Sequence, residues 1–80
     1  MNGQELKVTV IDLISREIET PADGIGMDTT LEMLDIDSLD ILRLAETFER
    51  TFKITIGTAE LTQIETVEDI VAGLERKLTT

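Results

Sequence analysis

The chain has 80 residues and a formal net charge of −10, with 17 acidic and 7 basic side chains and neither cysteine nor histidine. This excess of acid is expected to repel nucleic acid and anionic membrane surfaces, and it favours partner proteins that carry basic patches. Without cysteine or histidine, the chain has no thiolate or imidazole with which to catalyse a reaction, and it has no disulfide or cysteine-based zinc site.

The composition predicts one small folded domain, residues 1–80. The chain is 41% hydrophobic and 30% charged, which is typical of a globular protein and not of a disordered tail. No apolar run approaches the about 20 residues of a membrane span, and the first residues lack a signal-peptide pattern. We therefore expect a cytoplasmic, free-standing monomer without a membrane-inserted segment.

The first predicted element is a helix over residues 2–20. Its apolar side chains recur at helical spacing and would form one buried stripe: Leu6, Val10, Leu13, Ile14 and Ile18. Residues 7–11 alternate and are β-branched, so a short strand is the local alternative. Because the helical period extends much further than the alternation, we predict a helix that ends before Pro21.

A long loop follows, with one proline and two glycines among residues 20–37. Its apolar side chains are expected to fold back over the core: Ile25, Met27, Leu31, Met33 and Leu34. Several acids near its end suggest a calcium loop, which requires a ligand at its fifth position and glycine at its sixth. Counting from Asp35, those positions hold Leu39 and Asp40, so the pattern fails and no metal site is predicted.

The second helix is predicted from Asp37 or Ser38 to Thr51. Its inner stripe follows helical spacing and comprises Ile41, Leu44, Ala45, Phe48 and Phe52. The opposite side carries Leu39, Leu42, Arg43, Glu46 and Arg50. Two of these outward residues are leucines, which the core does not require.

The remaining segment predicts two more helices. A short helical turn is expected over about residues 58–61, where a strand would lack a partner. The last helix begins after Thr66, which forms a capping box with Asp69, and its stripe comprises Val67, Ile70, Val71, Leu74 and Leu78. Gly73 weakens this helix unless it permits a close contact. The whole chain is thus predicted to be all-α, a small four-helix bundle of three main helices and one short helix with a long first loop.

Ser38 is the residue that raises a functional question. It stands at the start of the second helix without a histidine or cysteine to activate it. One interpretation is that Ser38 or Asp37 caps this helix. The other is that a second enzyme modifies Ser38, because a helix N-terminus stabilises an attached anion such as phosphate.

The run "TLEMLDIDSLDILRLAETFERTFKITI", residues 30–56, resembles the signature of acyl carrier proteins. Its leucines at three-residue spacing lead into Asp-Ser-Leu, which opens a long acidic helix. The resemblance extends over nearly the whole chain, since "ETVEDIV" at the start of the last helix also fits. It implies a carrier and not an enzyme.

The resemblance also implies the cofactor and the site residues. A phosphopantetheinyl transferase would attach 4′-phosphopantetheine from coenzyme A to Ser38, next to Asp37, and the thiol of this arm would hold acyl groups as thioesters. Acyl-loading and condensing enzymes would dock through basic patches on a face formed by Leu39, Asp40, Leu42, Arg43, Glu46 and Glu49. The acyl chain would enter a pocket lined by Leu44, Phe48, Ile56, Leu61, Ile64 and Val71.

Several positions depart from the housekeeping members of this family. Arg43 replaces their glutamate, Glu46 their usual methionine and Asp35 their usual glycine, while Arg50 and Lys53 add positive charge. These changes favour a specialised carrier for an unusual lipid, a polyketide or another secondary metabolite. The alternatives are an unmodified acidic adaptor that binds basic proteins, and an aminoacyl or peptidyl carrier, which Asp37 disfavours.

Overall fold

The computed structural model describes residues 2–79 and contains four α-helices: α1 (Gly3–Ile18), α2 (Ser38–Phe52), α3 (Thr58–Leu61) and α4 (Val67–Leu78). Within residues 2–79 no strand forms, and β-pairing is limited to an isolated bridge between Thr30 and Thr66. The predicted all-α bundle with one short helix is confirmed. The first loop also contains a 3₁₀ turn, Ala22–Gly24, that the sequence did not predict.

Helix α1 is the central element, because it packs against both α2 and α4. The side-chain oxygen of Asn2 accepts a hydrogen bond from the backbone N–H of Glu5 at 2.8 Å and so begins the helix. The helix ends at Glu19, which adopts the left-handed conformation with φ of 55°. Residues 7–11 lie inside α1, so the strand alternative is wrong.

The core is built almost entirely from aliphatic side chains. Its buried members come from all three long helices and from the first loop: Leu6, Val10, Ile14, Ile25, Leu31, Ile36, Leu44, Phe48, Val67, Ile70, Val71 and Leu74. Phe48 also contacts Phe52, with 6.3 Å between the ring centroids. The predicted stripes of α1, α2 and α4 therefore meet in one cluster.

Two side chains predicted to be buried are exposed instead. Met33 is 66% exposed, because the chain turns tightly there and the carbonyl of Leu31 accepts hydrogen bonds from the N–H groups of both Leu34 and Ile36. This turn buries Ile36 instead and leaves Met33 outside. Leu78 is 40% exposed because it is the last residue of α4 and lies beyond the core.

The first loop is fastened to the start of α4 by its backbone. Carbonyl groups of Thr29 and Met27 accept hydrogen bonds from the N–H groups of Val67 and Glu68, at 3.0 and 2.9 Å, and the N–H of Leu31 donates to the carbonyl of Glu65 at 2.9 Å. These bonds fix the loop before it enters α2. The start of α2 is therefore held in place by main-chain contacts as well as by the core.

Candidate functional site

Asp37, and not Ser38, caps α2. The Oδ1 atom of Asp37 accepts a hydrogen bond from the backbone N–H of Asp40 at 2.9 Å, and Oδ2 of Asp40 accepts one from the N–H of Asp37 at 3.4 Å. This reciprocal pair is a capping box formed by two aspartates. It supplies the capping that the first interpretation assigned to either Ser38 or Asp37, so Ser38 is not needed for it.

Ser38 is the first residue of α2 and its side chain is exposed. Among residues 2–79, its hydroxyl has no hydrogen-bond partner. The first N–H groups of a helix also lack acceptors within the helix, and the positive end of the helix dipole lies there. These groups fit an attached phosphodiester, because they offer donors and a favourable field to an anion on the Ser38 oxygen.

The backbone has a left-handed conformation at Asp35, three residues before Ser38. Its φ is 56°, in the left-handed region that glycine adopts most readily. Aspartate tolerates this conformation better than most residues do, because its short side chain bonds locally. The backbone at Asp35 therefore has a left-handed conformation of the kind that glycine adopts most readily.

The outward half of α2 presents a mixed surface of apolar and charged groups. Leu39 and Leu42 are 54% and 51% exposed, and Arg43 and Glu46 are exposed beside them. Within the described part of the chain, Arg43 forms no ion pair, although acids lie three residues away on either side. These residues are accessible to another protein, and the side chain of Asp40 is committed to the capping box.

Glu49 has an internal contact that the sequence did not predict. Its Oε2 accepts a hydrogen bond from the backbone N–H of Ile56 at 2.9 Å, and both residues are partly buried. The bond ties the segment between α2 and α3 back to α2. Glu49 therefore stabilises the fold, and its predicted role in docking remains a prediction.

A cavity of about 250 Å³ lies between α3 and α4, with Phe48 of α2 on its wall. Four of the six predicted pocket residues line it, namely Phe48, Ile56, Leu61 and Ile64. Leu44 and Val71 are buried in the central cluster and do not line this cavity, and their role in an acyl-chain pocket remains a prediction.

Helix α4 supplies much of the cavity wall. The residues missed from the sequence are Ile70, Ala72, Gly73 and Leu74, together with a polar rim of Glu60, Gln63, Asp69, Arg76 and Lys77. Positions spaced by three and four residues share one side of a helix, which places Ile70, Gly73, Leu74 and Lys77 together on α4. That pattern was visible in the sequence, but nothing there showed which side of α4 would face α3.

Charged residues at the rim of the cavity connect α3 to α4. Nζ of Lys77 lies 2.8 Å from Oε1 of Glu60, and the other carboxylate oxygen of Glu60 accepts a hydrogen bond from the N–H of Gly57. These contacts, the one with Lys77 first, lower the pKa of Glu60. Glu60 is therefore ionised at neutral pH and joins α3 to α4.

Asp69 has a comparable structural role at the start of α4. Its Oδ2 accepts hydrogen bonds from the N–H groups of Glu65 and Thr66, both at 3.0 Å, and these bonds lower its pKa. Thr66 Oγ1 in turn accepts from the N–H of Asp69 at 3.2 Å. The capping box predicted from Thr66 and Asp69 is confirmed.

Two further searches of residues 2–79 bear on the site. No group of three or more histidine, cysteine, aspartate or glutamate side chains is arranged to hold a metal ion there. None of the helices in this part of the chain has the length and apolar character needed to cross a membrane.

Known proteins place these features in a family. Residues 8–74 match the family model described as "Phosphopantetheine attachment site". An acyl carrier protein of Petrotoga mobilis is 35% identical over 79 residues, which are 98% of this chain and 93% of that protein. One from Aster yellows witches'-broom phytoplasma is 43% identical over 61 residues, which are 75% of this chain and 80% of that protein.

A solved structure shows the same fold. The crystal structure of an acyl carrier protein from Thermotoga maritima superimposes with a TM-score of 0.85 and 24% sequence identity, over 99% of this chain and 93% of that one. The residues matched by the family model include Ser38, the whole of α2 and α3, and parts of α1 and α4. The chain therefore belongs to the acyl carrier proteins, which are carriers and not enzymes and whose cofactor is 4′-phosphopantetheine.

Proposed function

We propose that Ser38 is the residue to which 4′-phosphopantetheine is attached, and that the chain carries acyl intermediates for the biosynthesis of a fatty acid, a specialised lipid or a polyketide. The observation that supports this most directly is an exposed serine at the start of α2 whose capping role is filled by Asp37. When bound, the arm supplies a thiol that holds acyl groups as thioesters.

The chain's own contribution to attachment is a hydroxyl and a favourable field. The Ser38 oxygen forms a new bond to the phosphorus that bears pantetheine, the pyrophosphate bond of coenzyme A breaks, and adenosine bisphosphate leaves. The hydroxyl proton passes to a base of the transferase, because the nearest carboxylates of this chain, Asp37 and Asp40, are engaged in the capping box. The resulting anion lies at the positive end of α2.

The proposed partners are a phosphopantetheinyl transferase and the acyl-loading and condensing enzymes of one pathway. The outward half of α2 supports this, since it adjoins Ser38 and exposes Leu39 and Leu42 among charged groups. Exposed apolar side chains beside charges are typical of docking surfaces. We further propose that residues 1–80 act as one cytoplasmic, monomeric domain.

The test of the carrier function is an intact mass. After incubation with coenzyme A, magnesium and a broad-specificity transferase, the chain is expected to gain the mass of one phosphopantetheine. Fragmentation then locates the modification, and it distinguishes between the two serines of the chain, Ser15 and Ser38. A chain that gains no mass with several transferases would contradict the proposal, and an arm on Ser15 would contradict its site.

We propose in addition that the carrier serves a dedicated pathway. Among residues 2–79 Arg43 forms no ion pair, and it lies on the exposed face of α2 in a chain of net charge −10. A basic docking patch shaped for an acidic helix would meet a like charge there, whereas a patch with an acidic group opposite Arg43 would be complementary. A single reversed charge can thus select one set of enzymes over another.

Charge reversal at this position tests that idea. We expect Arg43→Glu to raise kcat/KM at least about ten-fold with an acyltransferase that loads a housekeeping acyl carrier protein, because the like-charge contact is removed. The matched control is Arg16→Glu on α1, where the side chain is 75% exposed and the charge change is identical. An equal gain in the control would show that net charge, and not Arg43, sets the preference.

A further inference from the structure

Gly73 lies in the middle of α4, where glycine is the least favourable helix former apart from proline. A glycine in such a place usually allows another part of the chain to approach closely. That explanation does not apply to Gly73. A Cβ atom built on it would lie 3.8 Å from its nearest neighbour, the Nη2 atom of Arg76, which is an ordinary contact.

Gly73 lines the cavity between α3 and α4. The apolar part of its wall comprises Phe48, Ile56, Leu61, Ile64, Ile70 and Leu74. A side chain at position 73 would extend from α4 on this side. The missing side chain therefore leaves space in the cavity and is not required by the packing of the helices.

The volume of that space limits what it can hold. An engineered cavity of about 150 Å³ accepts benzene, which has six non-hydrogen atoms, so by the same ratio a cavity of about 250 Å³ holds about eight to ten such atoms. The wall on the α3 side is held by the ion pair between Glu60 and Lys77. The part of a longer guest that exceeds this volume would remain outside the cavity.

We propose that Gly73 is a size-determining residue of the cavity, where the absent side chain leaves room for a short acyl chain of about eight to ten non-hydrogen atoms. This inference rests on the proposed carrier function and adds the class of cargo, acyl groups near hexanoyl and octanoyl. Burial against the aliphatic wall stabilises acyl chains of this size by removing their apolar surface from water. In longer chains the additional carbons remain in water and add no further stabilisation.

The experiment loads the chain with acyl-phosphopantetheine directly from acyl coenzyme A, in a series from butanoyl to dodecanoyl, and first verifies loading by intact mass. Hydroxylamine cleaves each thioester, and the cleavage rate is measured on the carrier and for the same acyl pantetheine in free solution. The protection factor is the rate in free solution divided by the rate on the carrier. This protection factor is expected to rise by up to about four-fold per methylene. It should level off near octanoyl.

The variants fill the cavity by known amounts. In Gly73→Ala, the protection factor is expected to stop rising at a chain about one carbon shorter than in the parent. Gly73→Leu is expected to lower the protection factor of octanoyl at least about ten-fold. The unacylated Gly73→Ala chain should meanwhile unfold about 4–8 °C higher, because alanine favours the helix. Methyl chemical shifts of Ile56 and Leu61 should respond to octanoyl in the parent and much less in Gly73→Leu.

The matched controls are Gly3→Ala and Gly3→Leu, since a Cβ at Gly3 also meets its nearest neighbour at 3.8 Å but does not line the cavity. They should leave the levelling point unchanged. Equal protection of octanoyl in the parent and Gly73→Leu, or no protection at any length in the parent, would overturn this inference alone. Failure of the mass step would overturn the carrier function and this inference with it.

Discussion

Ser38→Ala is expected to abolish attachment of phosphopantetheine completely while changing the free energy of unfolding by less than about 0.5 kcal/mol. The loss follows because alanine has no oxygen to form the phosphodiester. The small effect on stability follows because the Ser38 side chain is exposed and Asp37 provides the cap. Intact mass after incubation with coenzyme A and a transferase measures the first effect, and urea unfolding measures the second.

Ser15→Ala is the matched control, with the same substitution at the other serine of the chain. The Ser15 hydroxyl donates a hydrogen bond to the carbonyl of Thr20 and is partly buried, so its loss should cost about 1 kcal/mol. Attachment should be unaffected. The two variants thus have opposite expected effects, and a Ser38→Ala chain that is strongly destabilised would show that the capping argument is wrong.

A large effect on stability is expected in α1, where Val10→Ala should lower the free energy of unfolding by about 2 kcal/mol or more. Val10 is fully buried at the centre of the core, and the deletion removes two methyl groups and leaves a void. A domain of this size is stable by only about 4–12 kcal/mol in total. The unfolding midpoint should therefore fall by about 10 °C.

Val8→Ala is the control for this change, because it is the same substitution on the same helix at a side chain that is 57% exposed. Alanine is the better helix former, so Val8→Ala should be neutral or slightly stabilising. Thermal unfolding followed by circular dichroism compares the two. Equal losses in both variants would mean that helix formation, and not core packing, determines the stability of α1.

The sequence predicted the three long helices well because each has a long apolar stripe and a recognisable end. Pro21 ends the first helical pattern, and Thr66 with Asp69 marks the start of α4. It failed where a side chain's direction depends on a local turn. Met33 is as apolar as Leu31 two residues earlier. The hydrogen bonds of the tight turn direct the Met33 side chain outward, and these could not be read from the sequence.

The site was predictable in part for a similar reason. The exposure of Leu39 and Leu42 follows from the period of α2, whereas Ser38 was identified by its place at the start of that helix and by the resemblance to acyl carrier proteins. The cavity wall depends on how α3 and α4 face each other, and a helix as short as α3 has no stripe of its own from which to infer this. Leu44, Phe48, Ile70 and Val71 all belong to the central cluster, but only Phe48 and Ile70 also line the cavity, and nothing in their spacing separates the two pairs.

The backbone bonds that fasten the first loop to the start of α4 have a consequence for how such a carrier diversifies. Main-chain donors and acceptors are present whatever the side chain, so the bonds at Met27, Thr29 and Leu31 survive most substitutions nearby. Outward side chains such as Met33 can then change freely without displacing Ser38. The outward side of the loop can therefore vary in sequence while the position of Ser38 is preserved.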